Sequence, residues 1–357
     1  MSLITKLRKL NKKVYIRLRR WNIKKVVTKE KKEHMNKWVL TKEQKKLAKS
    51  FYAPYRKISM LYHNFYTEKR EEFCAEYLPD DVYYNYVDMY YNDHQTALIF
   101  DNKCRYTKLF PNTKHAETIV YRLNGFWFDK EDNLINKDIA VEKVLSEKDC
   151  FIKRAVDCGG GLGVFYFESE NKTAKDLLSV IDKIQEDIIV QQPIKQHKDL
   201  AKINSSSVNT IRTVSFLDKN EGVKIYANIF RMGVDGSKFD NINSGGVICD
   251  IDDSGKLKQR AYTKKGEVFF KHPNSQVEFL GYQIPSFERL QEEVKKLHLK
   301  IPQFRLVAWD FTIDEFGDPT FVEVNMSSGG INIVQLPHGP LFGSDTEKIL
   351  KEVFNKN

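Results

Sequence analysis

Late in the chain, three oxygen-bearing side chains interrupt an apolar hairpin. Residues 307–313 read Val-Ala-Trp-Asp-Phe-Thr-Ile, a polar turn follows at 314–319, and residues 321–325 read Phe-Val-Glu-Val-Asn. Two apolar runs joined by a Gly/Pro turn predict paired strands. Glu323 and Asn325 stand two apart and share one face, and Asp310 comes from the neighbouring strand. Carboxylate and amide oxygens grouped in this way suit a hard divalent cation such as Mg²⁺, which completes its shell with substrate phosphates and water. The competing reading is a hairpin whose polar positions simply face solvent.

A second stretch has the chemistry of anion binding. The apolar run 151–153 ends on Lys153, Asp-Cys-Gly-Gly-Gly-Leu-Gly fills 157–163, and a new apolar run starts at Val164. Glycines let a backbone close over phosphates and present its N–H groups, and Lys153 would add a point charge. The loop lacks the Gly-Lys-Ser/Thr of a Walker motif, and a plain flexible turn is the alternative. Cys158 has no identifiable base beside it, so a nucleophilic role is not expected. Residues 187–194 form a buried strand running into a turn, a hinge whose backbone can bond an adenine edge. Arg212 and Arg231 sit within apolar strands, where a guanidinium needs an anionic partner: a bound phosphate or a structural ion pair. Asp240, Asn241 and residues 244–246 make a small, polar loop suited to a lid.

The composition narrows the class. The 357 residues are 41% hydrophobic and 30% charged, as in a globular protein long enough for more than one core. No apolar run approaches the roughly 20 residues of a membrane span, and no signal-peptide core is visible, so a cytoplasmic protein is expected. The five cysteines are scattered with no Cys-x-x-Cys pair, against zinc or a disulfide framework. The net charge of +10 is uneven: residues 1–50 hold 18 Lys or Arg against 3 acids, leaving −5 for the remainder. A general nucleic-acid groove is therefore disfavoured.

Leu3, Leu7, Leu10, Val14, Leu18 and Trp21 recur at steps of three and four among basic residues, predicting a basic amphipathic helix. Such a helix suits an anionic membrane surface, or packing against the body or a second subunit. Residues 41–78 continue helically, divided near Pro54, with Leu47, Phe51, Tyr55, Ile58, Leu61, Tyr62 and Phe65 as the buried stripe. The Tyr-rich run 82–91 reads as packing. Strands are expected at 97–100, 118–121, 149–154, 163–167, 187–191, 209–217, 223–231, 246–251, 304–313 and 319–325. Helices are expected near 138–146, 172–186, 286–299 and 344–355, which together make a mixed α+β body.

Taken in order, these features resemble the ATP-grasp superfamily. The strings Gln191-Gln192-Pro193, Val208-Asn209-Thr210-Ile211-Arg212, His272-Pro273, Trp309-Asp310 and Glu323-Val324-Asn325 resemble in particular the sugar-transfer-associated ATP-grasp family of bacterial polysaccharide loci. The resemblance implies an α+β ATP-grasp fold in which two subdomains clasp Mg-ATP, preceded by a helical N-terminal region. The implied domains are an amphipathic appendage (1–40), a helical region (41–95), a subdomain with the glycine loop (96–195) and a subdomain with the metal site (196–357). Lys103 and Lys153 match the nucleotide-contacting lysines, and Gly159, Gly160, Gly161 and Gly163 match the phosphate cover. Gln191, Gln192 and Ile194 match the hinge to adenine and ribose. Many relatives carry a glutamate where the hinge has Gln191-Gln192, which makes His197 a candidate for the ribose contact. Asp310, Glu323 and Asn325 match the Mg²⁺ ligands, while Arg231 and Arg212, with Lys153, would be catalytic. The implied activity is an ATP-dependent carboxylate–amine ligase that works through an acyl-phosphate on a sugar acid or glycan, with an amino acid or similar amine as partner, on the inner face of the membrane. The alternatives are a phosphotransferase on the same fold and a non-catalytic membrane- or polymer-binding protein.

Overall fold

The computed structural model describes residues 3–156, 163–327 and 329–355. The chain divides into two compact units, residues 1–92, 265–267 and 330–357 forming one, and residues 93–264 and 268–329 the other.

The first unit is helical. Helix α1 runs Leu3–His34, α2 Lys42–Tyr52 and α3 Met60–Arg70. A capping box starts α2, with Thr41 and Gln44 satisfying each other's backbone N–H, and Pro54 lies in the turn after it. Leu47, expected inside, is exposed, while Ala48 and Tyr52 are buried. Leu61, Tyr62 and Phe65 are buried as expected. The 82–91 run packs inward through Val82, Tyr83, Val87 and Tyr91 and includes one π-helical turn, Tyr83–Val87. The ammonium of Lys31, only 2% exposed, is 3.2 Å from Asp80 and 4.3 Å from the centre of the Phe65 ring, so α1 is tied to the unit through a buried charge. Two helices from the C-terminal end of the chain, Ile331–His338 and Thr346–Phe354, belong to this unit. The first was not anticipated, because Pro337 stands inside it. Gln335 fixes it by accepting from the Leu78 N–H and donating to the Leu78 carbonyl, each at 2.9 Å.

The second unit contains two sheets. After a short strand β1 (Lys114–His115), strands β2 (Thr118–Leu123), β3 (Phe126–Asp129), β4 (Leu134–Ile135), β5 (Asp149–Arg154), β6 (Val164–Glu168) and β7 (Ile188–Gln191) form a six-stranded sheet in the order β4-β3-β2-β7-β5-β6. The β2–β3 hairpin, absent from the sequence reading, turns on Asn124 (φ 50°) and Gly125 (φ 83°), the left-handed pair that a tight hairpin needs. Strands β8 (Thr210–Asp218), β9 (Gly222–Met232), β10 (Val247–Ile251), β11 (Leu257–Tyr262), β12 (Val268–Phe269), β13 (Leu306–Ile313) and β14 (Pro319–Asn325) join β1 in an eight-stranded sheet, ordered β1-β14-β13-β8-β9-β10-β11-β12. Of these, β11 was also missed. Residues 97–100, expected as a strand, belong to the helix His94–Phe100, whose start is capped by Asp93 accepting from the Gln95 N–H at 3.1 Å. Four apolar residues carry no period of their own, and the cap decides.

One face of the eight-stranded sheet is covered by the helix Phe287–His298, whose Leu290, Val294 and Leu297 share a core with Val307, Trp309, Phe311 and Ile313. Alternation along β13 then turns Asp310 to the other face. A buried polar chain ties helix to strand. Trp309 Nε1–H donates to Ser215 Oγ (2.8 Å), Ser215 meets His298 Nδ1 (2.7 Å), and His298 Nε2–H donates to the Phe304 carbonyl (2.8 Å). Burial pushes the pKa of His298 down to about 4, the Phe304 carbonyl opposing weakly. The unfolded chain therefore takes up a proton below about pH 6.5 that the folded chain refuses until about pH 4. Stability is expected to fall across that window, His298 contributing roughly 3 kcal/mol. Urea denaturation at stepped pH should show a shallower loss for His298→Gln, and an unchanged slope would refute the assignment.

Candidate active site

The second unit contains a cavity enclosing about 930 Å³ of non-protein space, part of it open to solvent. The β5–β6 hairpin contributes Phe151, Lys153 and Val164, the hinge after β7 contributes Gln192 and Ile194, and the eight-stranded sheet contributes Thr210, Arg231, Asp310 and Glu323. Lys103 and the loop residues Lys238, Phe239, Asp240 and Asn241 also line it. Lys103, Lys153, Gln192, Ile194, Arg231, Asp310 and Glu323 are thus brought together around one space. Gly159, Gly160 and Gly161, with Cys158, lie outside the described residues.

Register explains how the charged groups meet. Arg212 of β8 pairs with Asp310 of β13, which pairs with Glu323 of β14. Next to this row, Phe311 pairs with Phe321, so Val322 is an extra residue on β14. That bulge re-aims the strand. Phe321 and Val324 stay in the core, while Glu323 turns to the cavity. Asp310 is buried and gripped from two sides: Arg212 donates through Nε to Oδ1 (2.8 Å) and through Nη2 to Oδ2 (2.6 Å), and Arg231 donates through Nη1 to Oδ2 (2.7 Å). Burial favours the protonated acid, but the charges and hydrogen bonds of both arginines outweigh it and hold the carboxyl well below the usual range. Arg231 also faces Asp240 at 3.5 Å. Burial works against the Arg231 cation, yet Asp240, Asp310 and Glu323 keep it firmly charged. The Asp240 carboxyl is pushed up by burial, with Arg231 and the Thr210 hydroxyl, which donates to it, opposing.

Lys153 Nζ donates to Gln191 Oε1 at 3.0 Å, and the Gln191 amide reaches the Ala116 carbonyl at 3.3 Å, so Gln191 positions the lysine from outside the lining. Gln192 spends its amide on Glu147 at 2.9 Å. His197 caps its own helix, Lys198–Ile203, its Nδ1 accepting from the Asp199 N–H at 3.2 Å, and it does not line the cavity. Arg212 stands behind Asp310, also off the lining. Gly163 has φ +80°, and a Cβ there would fall 2.2 Å from Arg154 Cδ. Only glycine lets the hairpin fold back over that side chain.

The sequence reading had not singled out Thr210, Phe151, Lys238 or Phe239. Phe239 meets Phe151 at 6.1 Å between ring centres, and Lys238 Nζ lies 4.8 Å from the centre of the Tyr166 ring, so the loop before Asp240 reaches across to the β5–β6 hairpin. Its Lys-Phe-Asp string, charged and aromatic within a polar loop, was the available signal. Gly246 anchors the loop: a Cβ there would come within 2.8 Å of the Asp240 and Met232 carbonyls.

The donor set fits Mg²⁺. Glu323 is part-exposed, 3.2 Å from Lys103 Nζ, and Asn325, two residues on and outside the cavity lining, could offer only its Oδ1 to a metal, its buried and unpartnered side-chain nitrogen being a donor suited to an anionic oxygen. Three arginine N–H groups leave Asp310 little free acceptor capacity. Glu323 and the Asn325 amide would therefore hold most of the metal, with phosphate oxygens completing the shell. Among the described residues no three His, Cys, Asp or Glu side chains form a metal cluster.

A two-sheet α+β unit with Lys153 on one sheet, Lys103 on a short helical turn and an Arg–Asp–Glu row on the other sheet defines an ATP-grasp architecture. Residues 84–351 match the family described as sugar-transfer associated ATP-grasp, and the chain belongs to it. No curated protein sequence matches. Among solved structures, D-alanyl-alanine synthetase A from Vibrio cholerae O1 biovar eltor is similar at 13% identity and TM-score 0.42, over 72% of this chain and 66% of that one. N5-carboxyaminoimidazole synthetase from Staphylococcus aureus, complexed with ADP, is similar at 10% identity and TM-score 0.44, over 75% and 55%. The L-amino acid ligase from Bacillus licheniformis is similar at 12% and 0.40, over 71% and 47%. The chain thus spans less than two thirds of the length of each.

Removing Arg212 would leave the buried Asp310 half-compensated. Arg212→Met is expected to cost about 3–5 kcal/mol of folding stability, read from the midpoint of chemical denaturation. A loss below about 1 kcal/mol would show the pair to be no more than an ordinary surface contact.

Proposed function

We propose that the chain is an ATP-dependent ligase that joins a carboxylate to an amine, acting in the cytoplasm on a sugar acid or glycan of cell-surface polysaccharide biosynthesis. The observation that carries this reading is the convergence of Lys153, Arg231, Asp310 and Glu323, from two sheets, and of Lys103, from a short helical turn, on one cavity. A carboxylate oxygen of the acceptor attacks the terminal phosphorus of ATP, and ADP leaves. The amine nitrogen then attacks the carbonyl carbon of the acyl-phosphate, inorganic phosphate departs with the bonding pair, and the nitrogen gives up a proton. Both steps need alignment and neutralised charge more than a protein nucleophile.

Lys153, held by Gln191, would meet phosphate oxygens under the 157–163 loop, and Lys103 would meet them from the other side. Arg231 would face the charge that develops on the carbonyl oxygen, its orientation fixed by Asp310 and Asp240. Glu323 and Asn325 Oδ1, beside Asp310, would hold Mg²⁺, which when bound would neutralise charge on the transferred phosphoryl group. Hinge residues 192–194 would border the adenine.

Mg-ATP at millimolar concentration is expected to raise the melting temperature by mass action. Glu323→Gln should cut turnover by at least a hundredfold while weakening nucleotide binding far less, since metal charge stabilisation grows toward the transition state. Lys153→Ala should damage both. Phosphate release from candidate uronic acids should require an added amine. Release independent of amine, with a phosphorylated product, would replace the ligase by a phosphotransferase.

A further inference from the structure

Helix α1 has two apolar faces, and only one meets the protein. Val27 and Lys31 are buried, and Ile16, Arg20 and Ile23 are half-buried. This side is fixed to its unit: Arg20 lies 4.3 Å from the centre of the Tyr86 ring, the Thr28 and Tyr62 hydroxyls are 3.2 Å apart, and Lys31 pairs with Asp80 at 3.2 Å. At 3.6 residues per turn, Ile16, Ile23 and Val27 fall within about 40° of one another, and Val14, Leu18 and Trp21 lie on the opposite side, about 170° away. Those three are 50%, 61% and 63% exposed. Leu3, Leu7 and Leu10 continue the same spacing in the sequence. Over residues 14–21 the stripe is therefore not the face that packs.

Charge decides what covers it. Residues 3–25 hold ten Lys or Arg and no acid. A second copy of the helix on this stripe would bring two such cationic sets together. A layer of anionic lipid offers the opposite charge at its surface and apolar depth beneath, and Trp at the margin of a leucine stripe is suited to that boundary. No helix among the described residues is long and apolar enough to cross a membrane. We propose that the outward face of α1, built around Val14, Leu18 and Trp21, docks on the surface of an anionic lipid bilayer and lies in its plane while the opposite face stays on the protein. This goes beyond the ligase reading and does not depend on it.

The full chain should be mixed with vesicles of phosphatidylcholine alone and with vesicles containing phosphatidylglycerol. Co-sedimentation is expected with the second kind at low salt, at least tenfold above the first, and should decline as salt shortens the screening length toward about 8 Å. Trp21 emission should shift to the blue on binding, a change that Trp21→Phe removes. The double variant Leu18→Glu, Trp21→Glu should lose vesicle binding at least tenfold and keep the wild-type melting temperature, because both side chains are exposed in the folded chain. Phe316→Ser, at an apolar residue exposed elsewhere, should bind as wild type. The proposal is overturned if anionic vesicles leave the chain in the supernatant at low salt, or if the double variant binds them as wild type. It is equally overturned if that variant unfolds, meaning the face is buried, or if it converts a dimer to a monomer, meaning a second copy covers it.

Discussion

Asp310 is the charge around which the site is organised. A carboxylate buried this deeply persists only with counter-charges, and it has two, Arg212 behind and Arg231 beside it. Each arginine is in turn committed by that bond. Arg212 donates to Asp310 from both Nε and Nη2 and so acts as a brace, while Arg231 shares itself between Asp310 and Asp240 and keeps a face on the cavity. The distinction separates a group that could touch substrate from one that holds another group in place, although sequence presents both as arginines in apolar strands.

The site depends as much on a departure from regularity as on ion pairing. In an unbroken ladder Glu323 would share a face with Phe321 and point to the core, where an unpaired carboxylate has no place. The extra residue Val322 moves Glu323 to the face of Asp310 and leaves Phe321 among the aromatic rings around Trp309. Val324 returns to the core and Asn325 to the side of Glu323. One inserted residue therefore puts Glu323 and Asn325 on the side of Asp310 without loosening the packing beneath them.

Much of this was legible beforehand. The β14 and β5 bounds, 319–325 and 149–154, came directly from alternation and turn residues, and the Asp310, Glu323 and Lys153 positions followed from polar atoms placed where apolar ones belonged. What escaped was set by contacts remote in sequence. Nothing near Val322 marks a bulge, because a bulge is a property of the pairing. His197 looked available, but its ring is used locally in capping. Leu47 was assigned to the core by a stripe whose true phase is set by Ala48 and Tyr52. The Asn124-Gly125 turn was the exception: its signal was present in two adjacent residues and was passed over.

The hydrogen-bonded chain behind the site strand ties residues 215, 298, 304 and 309 into one unit of inheritance. The Trp309 indole needs the Ser215 oxygen, that hydroxyl needs His298, and His298 needs the Phe304 carbonyl. Loss of Ser215 or His298 alone leaves a buried polar group orphaned, at a cost of about 1–3 kcal/mol. Replacement of Ser215, His298 and Trp309 by apolar groups of similar shape leaves only the Phe304 carbonyl short of its donor. Lineages would then cross between the polar and apolar solutions only through compensated, near-simultaneous change, so these positions should drift together while exposed neighbours such as Phe316 drift freely.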